Sequence, residues 1–547
     1  MGLGFLGALS AAAVGVATAR YGPGYSSDAV TYLATARNVA AGEGFYSHET
    51  LYVKWPPLFP ILLAGIERVG IEAMAAARWI NALAFGATVV AAGRLVRRAV
   101  RPGSCWTGWG ALAVALASPL LVQAVKAQTE MLFVLLVMLF TRAAAHHMRA
   151  PGRRVTLALM ALWAALACLQ RYAGVWLIAA GVGLVVLRPW LMRRSAEVHW
   201  ETVRKPAVRA VAFGSAAALP LAGWLLRNRF VAGSFLQRDV GEAEYTLGES
   251  LAAATDVLSG WALPPLVLPV PWRTTALVGA AALLGAVVWR LGRRPRRAGH
   301  APAGSEVAGT RGAPAGRERR SVCWAVGVLA GLYMPFIVLS AAFEASSLPS
   351  RRLLMPAFPL MVVLTSAALD DAAARLSAAG RSRLRIAILV LAFAWLLYPM
   401  ALSTAYVRVR AEMGGGGYNT TAWQASETAR WLRTRPLPPG SVRSNDPHAL
   451  YFLAGLSQHR FGKSATRKRD VHYLACFKDL NRARLHPQRL IDALLSLMPG
   501  ISEGRVEASA LPSPAPRPDC FDPSLTSPAA RVTEVATLAD GTVYRIE

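Results

Sequence analysis

Apolar runs of membrane-crossing length, separated by short polar loops, set the pattern of this chain. The runs near 1–19, 74–96, 106–125, 130–145, 155–170, 173–190, 207–226, 273–291, 322–342, 353–369 and 385–404 approach the roughly 20 residues that a helix needs to cross a bilayer. They predict about eleven transmembrane helices. The run 57–66 is too short to cross and is expected to lie at the interface. The opening stretch LGFLGALSAAAVGVATA offers a small-residue cleavage pattern at Ala17 and Ala19, as a signal peptide would. It has no basic flank and leads into an organised loop, so a retained first helix is expected. Gly2-x-Gly4-x-x-Gly7 formally fits a dinucleotide fingerprint, but no strand precedes it, and close helix packing is the better account.

Composition agrees with a membrane protein: of 547 residues 54% are hydrophobic, and the mean hydropathy is +0.36. A net charge of +28 would suit a nucleic-acid binder, but the basic residues sit in short loops between apolar runs. Arg94, Arg97, Arg98 and Arg101 follow one run, Arg142, Arg149, Arg153 and Arg154 another, and Arg188, Arg193, Arg194, Arg204, Lys205 and Arg209 a third. Further basic loops hold Arg293 to Arg320 and Arg375 to Arg385. Every second loop is basic, which places those loops in the cytoplasm, with the N-terminus inside and the C-terminus outside. The linker 292–320, rich in Ala, Gly and Pro, reads as disordered. No nucleic-acid partner is expected.

On the far side lie a polar loop (20–73), short turns, a longer loop (227–272) and a soluble tail (405–547). In the tail, 422–433 reads as a helix, SVRSNDPHALYFLAG as strand, turn and helix, and the segment around Asp540-Gly541 as a hairpin. The chain is thus expected to be a polytopic α-helical membrane protein with a small C-terminal extracytoplasmic α/β domain. Asn419-Thr420-Thr421 matches a glycosylation acceptor, a triplet that is frequent by chance.

Cations that violate the positive-inside bias are informative. Lys126, Arg171, Arg227 and the pair Arg351-Arg352 sit at outer helix ends, Lys54 in the first outer loop, and Glu130 opens a helix beside them. Gathered at one membrane level, such cations suit a bound anion, and phosphate is the natural candidate. The plainer account is that each snorkels to the interface separately. Asp28, behind two serines at a helix start, fits a cap as well as a general base, and the two roles are compatible. Glu130 is assigned support of the cations.

Other constellations carry less. Gly462-Lys463-Ser464 lacks the preceding glycine of a phosphate-binding loop, since Ser457 stands there. His146-His147 has no nearby carboxylate for a metal. Cys476 and Cys520 share the tail, where an oxidising compartment would let them pair.

The pattern resembles the GT-C superfamily of polytopic glycosyltransferases, in the branch of protein O-mannosyltransferases and the lipid A aminoarabinose transferase. The residues that carry the resemblance are Ser27-Asp28 with Tyr32, Ala36-Arg37, Gly42-x-Gly44 and Pro56-Pro57-Leu58-x-Pro60. Glu130, Arg171-Tyr172-Ala173-Gly174, Arg227-Asn228, Arg351 to Pro356, and Ser444-Asn445-Asp446-Pro447 leading to Tyr451 add to it. The resemblance implies inverting transfer of a sugar from a polyprenyl-phosphate donor to a lipid, glycan or protein acceptor, outside a bacterial cytoplasmic membrane. It makes Asp28 the base and sets Lys54, Arg171, Arg227, Arg351 and Arg352 at the donor phosphate, with Glu130, Tyr172, Tyr32 and Lys126 in support. In the aminoarabinose transferase pattern the lysine adjoins the prolines, whereas here Trp55 intervenes. No cofactor is implied, and a divalent metal, though possible, is not indicated: many relatives show a second acid near the first, where this chain has serine before Asp28. The alternatives are a polysaccharide polymerase or ligase using a diphosphate-linked glycan, and a transporter or flippase.

Overall fold

The computed structural model describes residues 2–47, 50–192, 200–237, 245–263, 270–292, 313–343, 348–437, 442–456, 473–477 and 532–546. Through the first half the helices are α1 (Gly2–Ala17), α2 (Ser27–Ala41), α3 (Leu58–Glu67), α4 (Ala73–Ala99), α5 (Trp106–Ala115), α6 (Ser118–Ala124), α7 (Glu130–Arg149), α8 (Arg154–Gln170) and α9 (Val175–Met192). There follow α10 (Trp200–Ala232), α11 (Leu247–Ala262), α12 (Val270–Gly292), α13 (Ala313–Phe343), α14 (Arg351–Leu354), α15 (Ala357–Ala378), α16 (Ser382–Trp395) and α17 (Leu397–Met413). All eleven expected runs are helical. Among the described residues, however, seven helices are long and apolar enough to cross a membrane alone, or eight if α5 and α6, bent by 42°, make one span. At 16 and 17 residues α1 and α8 reach only about 25 Å at 1.5 Å per residue, short of the hydrocarbon thickness.

The core runs along the middle of the bundle, from Phe85 and Trp106 through Phe133, Phe140 and Trp176 to Tyr333 and Leu360. α1 lies tight against α4 because glycines face each other: a Cβ on Gly7 would sit 2.8 Å from the Gly86 carbonyl oxygen. That contact accounts for Gly7, while a Cβ on Gly2 or Gly4 would meet nothing within 4 Å.

Two readings of loops are corrected. The region 227–272 contains α11, whose start is a capping box: Thr246 accepts from the Glu249 N–H while Glu249 accepts from the Thr246 N–H. The linker 292–320 is helical from Ala313 onward, because Glu318 pairs with Arg98 (3.2 Å) and Arg149 (3.4 Å) and the α13 helix simply starts early. Residues 293–312 lie outside the described residues.

In the tail, the expected helix 422–433 is two, α18 (Thr421–Gln424) and α19 (Glu427–Arg433), because Ser426 leaves the helix to cap α19 through the Ala429 N–H. Strands β1 (Pro23–Tyr25), β2 (Tyr46–Ser47), β3 (Thr50–Leu51), β4 (Gly414–Gly417), β5 (Asn419–Thr420), β6 (Val442–Ser444), β7 (Tyr473–Phe477), β8 (Val532–Leu538) and β9 (Gly541–Ile546) make three sheets. The largest, in order β6-β7-β9-β8, contains the expected hairpin around Asp540-Gly541, and its β6 opens the expected strand–turn–helix, which continues as α20 (Pro447–Ala449) and a π-turn over Leu450–Ala454. Asn419 is buried, and its amide donates to the Pro23 carbonyl at 2.9 Å, so the acceptor triplet is occupied by packing. Gly462-Lys463-Ser464 and Cys520 lie outside the described residues.

The polar first loop is fastened from three sides. β1 pairs parallel with β4, Tyr25 opposite Gly417, and the backbones pass so closely that a Cβ on Gly415 would meet the Gly24 nitrogen at 2.3 Å. Arg37 donates to the Tyr451 hydroxyl at 3.4 Å, and the Tyr25 and Phe452 rings lie 4.6 Å apart. From the bundle, Arg227 donates to the Tyr52 carbonyl (3.1 Å) and Asn228 to the Val53 carbonyl (3.2 Å).

Candidate functional site

Two serines precede Asp28, and the first of them does the capping. Ser26 leaves helical geometry and accepts from the Ala29 N–H at 3.3 Å, while also accepting from Gln128 at 2.6 Å. Asp28 therefore stands in the first turn of α2 with its carboxylate free of the cap. Its Oδ2 accepts from Arg352 Nη1 at 2.8 Å, and its Oδ1 has no partner among the described residues.

Arg352 belongs to the short α14, whose Leu353 carbonyl accepts from the buried Tyr333 hydroxyl. Its guanidinium forks: Nη1 reaches Asp28 and Nε reaches Glu130 Oε1. Glu130, the first residue of α7 and only 1% exposed, also accepts from Arg171 on the same oxygen. The result is a continuous chain of alternating charge, Asp28–Arg352–Glu130–Arg171, contributed by α2, α14, α7 and the end of α8. Its net charge is zero, and its outer members, Asp28 and Arg171, remain partly exposed to a cavity. Burial lowers the affinity of the Arg352 guanidinium for its proton, but Glu130 and Asp28 more than offset that, so it stays a cation. Burial raises the Tyr32 hydroxyl, with Asp28 and Glu130 adding to it, so Tyr32 remains a neutral donor.

The cavity encloses about 490 Å³. Asp28, Arg352, Arg171 and Gln170 supply its polar wall, and Tyr32, Trp55, Tyr172 and Phe336 its aromatic one. The expected site residues thus divide. Asp28, Tyr32, Arg171, Tyr172 and Arg352 line this cavity, and Glu130 lines a small pocket that shares Arg171 and Arg352 with it. Lys54 is exposed one residue outside the wall, its ammonium 5.3 Å from the Trp55 ring centre. Arg351 is exposed and outside the lining. Arg227 spends its guanidinium on the Tyr52 carbonyl and on the faces of Trp224 (4.9 Å) and Phe45 (5.4 Å), fixing the loop from behind. Lys126 lies beyond the cavity, its carbonyl accepting from Asn81; burial, opposed by Glu130 and aided by Arg410 and Arg352, brings its ammonium down to about 8.

Cavity residues that escaped sequence reasoning include Gln170, Thr129, Trp55 and Phe336. Gln170 donates to the Thr129 carbonyl at 3.0 Å, Thr129 accepts from Arg171 at 3.1 Å, and Trp55 forms the wall opposite Asp28's helix, edge-on to Tyr32 at 6.3 Å. The signal for the first two was available: polar residues directly adjoining Glu130 and Arg171 at apolar helix ends. Among the described residues no three His, Cys, Asp or Glu side chains cluster as a metal site would require.

No family model and no curated protein matches this chain. Solved structures do. ArnT, the lipid A aminoarabinose transferase of Cupriavidus metallidurans, bound to undecaprenyl phosphate, aligns over 99% of this chain and 97% of its own, with TM-score 0.56 and 13% identity. Its apo form aligns with TM-score 0.56 and 14% identity over the same 99% and 97%. The oligosaccharyltransferase of Archaeoglobus fulgidus in its apo form aligns over 87% of this chain and 69% of its own, with TM-score 0.51 and 12% identity. End-to-end coverage at so low an identity speaks for shared architecture: the chain has the fold seen in ArnT.

Proposed function

We propose that this protein is an inverting glycosyltransferase that moves a sugar from a polyprenyl-phosphate donor to an acceptor hydroxyl on the extracytoplasmic side of the membrane. The observation that carries the reading is the cavity in which an acid with a free oxygen, Asp28 Oδ1, stands beside two arginines, Arg352 and Arg171. A fold shared with a transferase described with bound undecaprenyl phosphate supports the lipid donor.

The chemistry assigns each group one task. The acceptor oxygen attacks the anomeric carbon while its proton passes to Asp28. The bond from that carbon to the phosphate oxygen breaks, its electron pair leaving with the lipid phosphate through an oxocarbenium-like state. The phosphodiester monoanion becomes a monoester with one more negative charge, and Arg352 and Arg171 meet that charge as it develops. Glu130 holds both guanidiniums in place, and the rings of Trp55, Tyr32 and Tyr172 exclude water. Lys54, Arg351 and Arg227 lie outside the cavity lining, and in this reading Arg227 positions the loop.

The test uses the purified protein with a panel of polyprenyl-phosphate-linked sugars, following release of polyprenyl phosphate. Asp28→Asn is expected to remain in the membrane fraction and lose transfer by about 10²–10⁴-fold. Full activity in Asp28→Asn would remove the base. Uptake of substrate into proteoliposomes without chemical change would instead make the protein a transporter.

A further inference from the structure

α4 carries the chain away from the site: its 27 residues span about 40 Å, and at its far end Arg101 opens the loop to α5. A second cavity of about 400 Å³ lies there, between that loop, α15 and α16. Arg101, Ser104, Ser377 and Arg385 line its polar end, and Trp106 and Leu389 its apolar end.

Charge at the polar end is in excess. Arg101, Arg319 and Arg375 share two carboxylates, Asp370 and Asp371, at distances of 2.6 to 3.6 Å. Asp370 lines the cavity, but it is buried and already held by Arg101 and Arg319. Arg385 adds a further cation with no side-chain partner among the described residues.

α16 supplies the other half of the argument. No residue of this helix is buried, and Leu384, Ile386, Val390 and Leu391 are exposed apolar side chains on a membrane-length segment. Arg385, Leu389 and Phe393 recur every four residues along one face, and Phe393 stacks on Trp106 at 6.4 Å. A cation at the mouth followed by an apolar stripe running toward the membrane interior is the shape of an amphiphile, headgroup outward and chain inward. A free phosphate would need the cations alone and would leave the stripe unused.

We propose that this cavity binds the phosphate headgroup of an anionic glycerophospholipid of the leaflet opposite the candidate active site, with an acyl chain lying along Leu389 and Phe393. Basic side chains at a membrane surface favour anionic headgroups, and an arginine fork suits phosphate. This assignment is independent of the reaction proposed above.

The test is native mass spectrometry of the full chain, equilibrated in detergent with equal amounts of phosphatidylglycerol and phosphatidylcholine of matched chains. Preferential retention of phosphatidylglycerol is expected. Arg385→Gln should lower it about fivefold, while Arg383→Gln, exposed on the same helix but outside the cavity, should leave it unchanged. Equal retention of the two lipids, or equal losses in the two variants, would overturn the site. A rise in melting temperature with inorganic phosphate as large as that with phosphatidylglycerol would overturn the lipid and leave a free-anion site.

Discussion

Glu130→Gln removes one charge from the middle of the ionic chain while keeping its shape. Glu130 is 1% exposed, and a single oxygen accepts from both Arg171 and Arg352. Breaking a fully buried pair costs about 3–5 kcal/mol, chiefly because the partner charge is stranded. Here the stranded side chains are 18% and 31% exposed, and Arg352 keeps Asp28, so solvent screening lowers the expected loss to about 2 kcal/mol. The amide oxygen keeps two lone pairs for the two arginines but carries no charge to hold them, and the amide NH₂ would stand where Glu130 Oε2 is buried, with no acceptor among the described residues. Displacement of a guanidinium by about 1 Å is enough to cost about 10²-fold in transfer. The assay pairs unfolding in detergent with turnover of the lipid-linked sugar. Glu130→Asp, shorter by one methylene, should lose activity while retaining more stability than the glutamine variant. If Glu130→Gln unfolds at the wild-type midpoint and transfers at the wild-type rate, Glu130 does not organise the arginines and the electrostatic account of the site is wrong.

Arg352→Lys keeps the charge but not the fork; one ammonium cannot serve both Asp28 and Glu130, and turnover should fall by about tenfold or more, with wild-type turnover refuting the bidentate role. Lys126, brought down to about 8 from 10.5, makes stability rise with pH between those values, because the unfolded chain there binds the extra proton. Lys126→Met should therefore melt higher than wild type at pH 7, with the gap closing by pH 10.5; a gap independent of pH would contradict the burial. Gly415→Ala drives a methyl into the Gly24 backbone and should cost about 1–3 kcal/mol and most of the activity, although the residue touches no substrate; undiminished transfer would show that β1 need not be held by β4.

Much of this was legible in the chain because membrane proteins write their architecture in long runs. All eleven apolar runs are helical, and outer-side cations singled out Arg171 and Arg352, which stand at the ends of their helices beside Glu130. Legibility failed where a residue's task depends on a distant partner. Arg351 and Arg352 are indistinguishable in sequence, yet only the second lines the cavity, because four residues of α14 turn them to different sides. Arg227 had the signature of a phosphate ligand and instead rests on two aromatic rings. Asp28 fitted a cap as well as a general base, and it is Ser26 that caps the helix. Glu318, lost in a run of arginines, shows that the end of the linker is structured, since its partners are on α4 and α7. Trp55 read only as a departure from a motif, and its place in the cavity wall emerges from packing on Tyr32 and Tyr52.

The clasp between β1 and β4 also bears on biosynthesis. Asn419 reaches back to the Pro23 carbonyl across 396 residues, and the glycine strand that seats Asp28's helix precedes it by only a few positions. At ordinary translation rates of about 5–20 residues per second, the ribosome needs about 20–80 seconds to bridge that interval. A nascent chain thus carries its acid long before it owns the strand that sets it in place. In the proposed reading, competence for transfer arrives late, after every bundle helix has left the ribosome, and a transcript truncated before the glycine strand is expected to give an inserted but inert product.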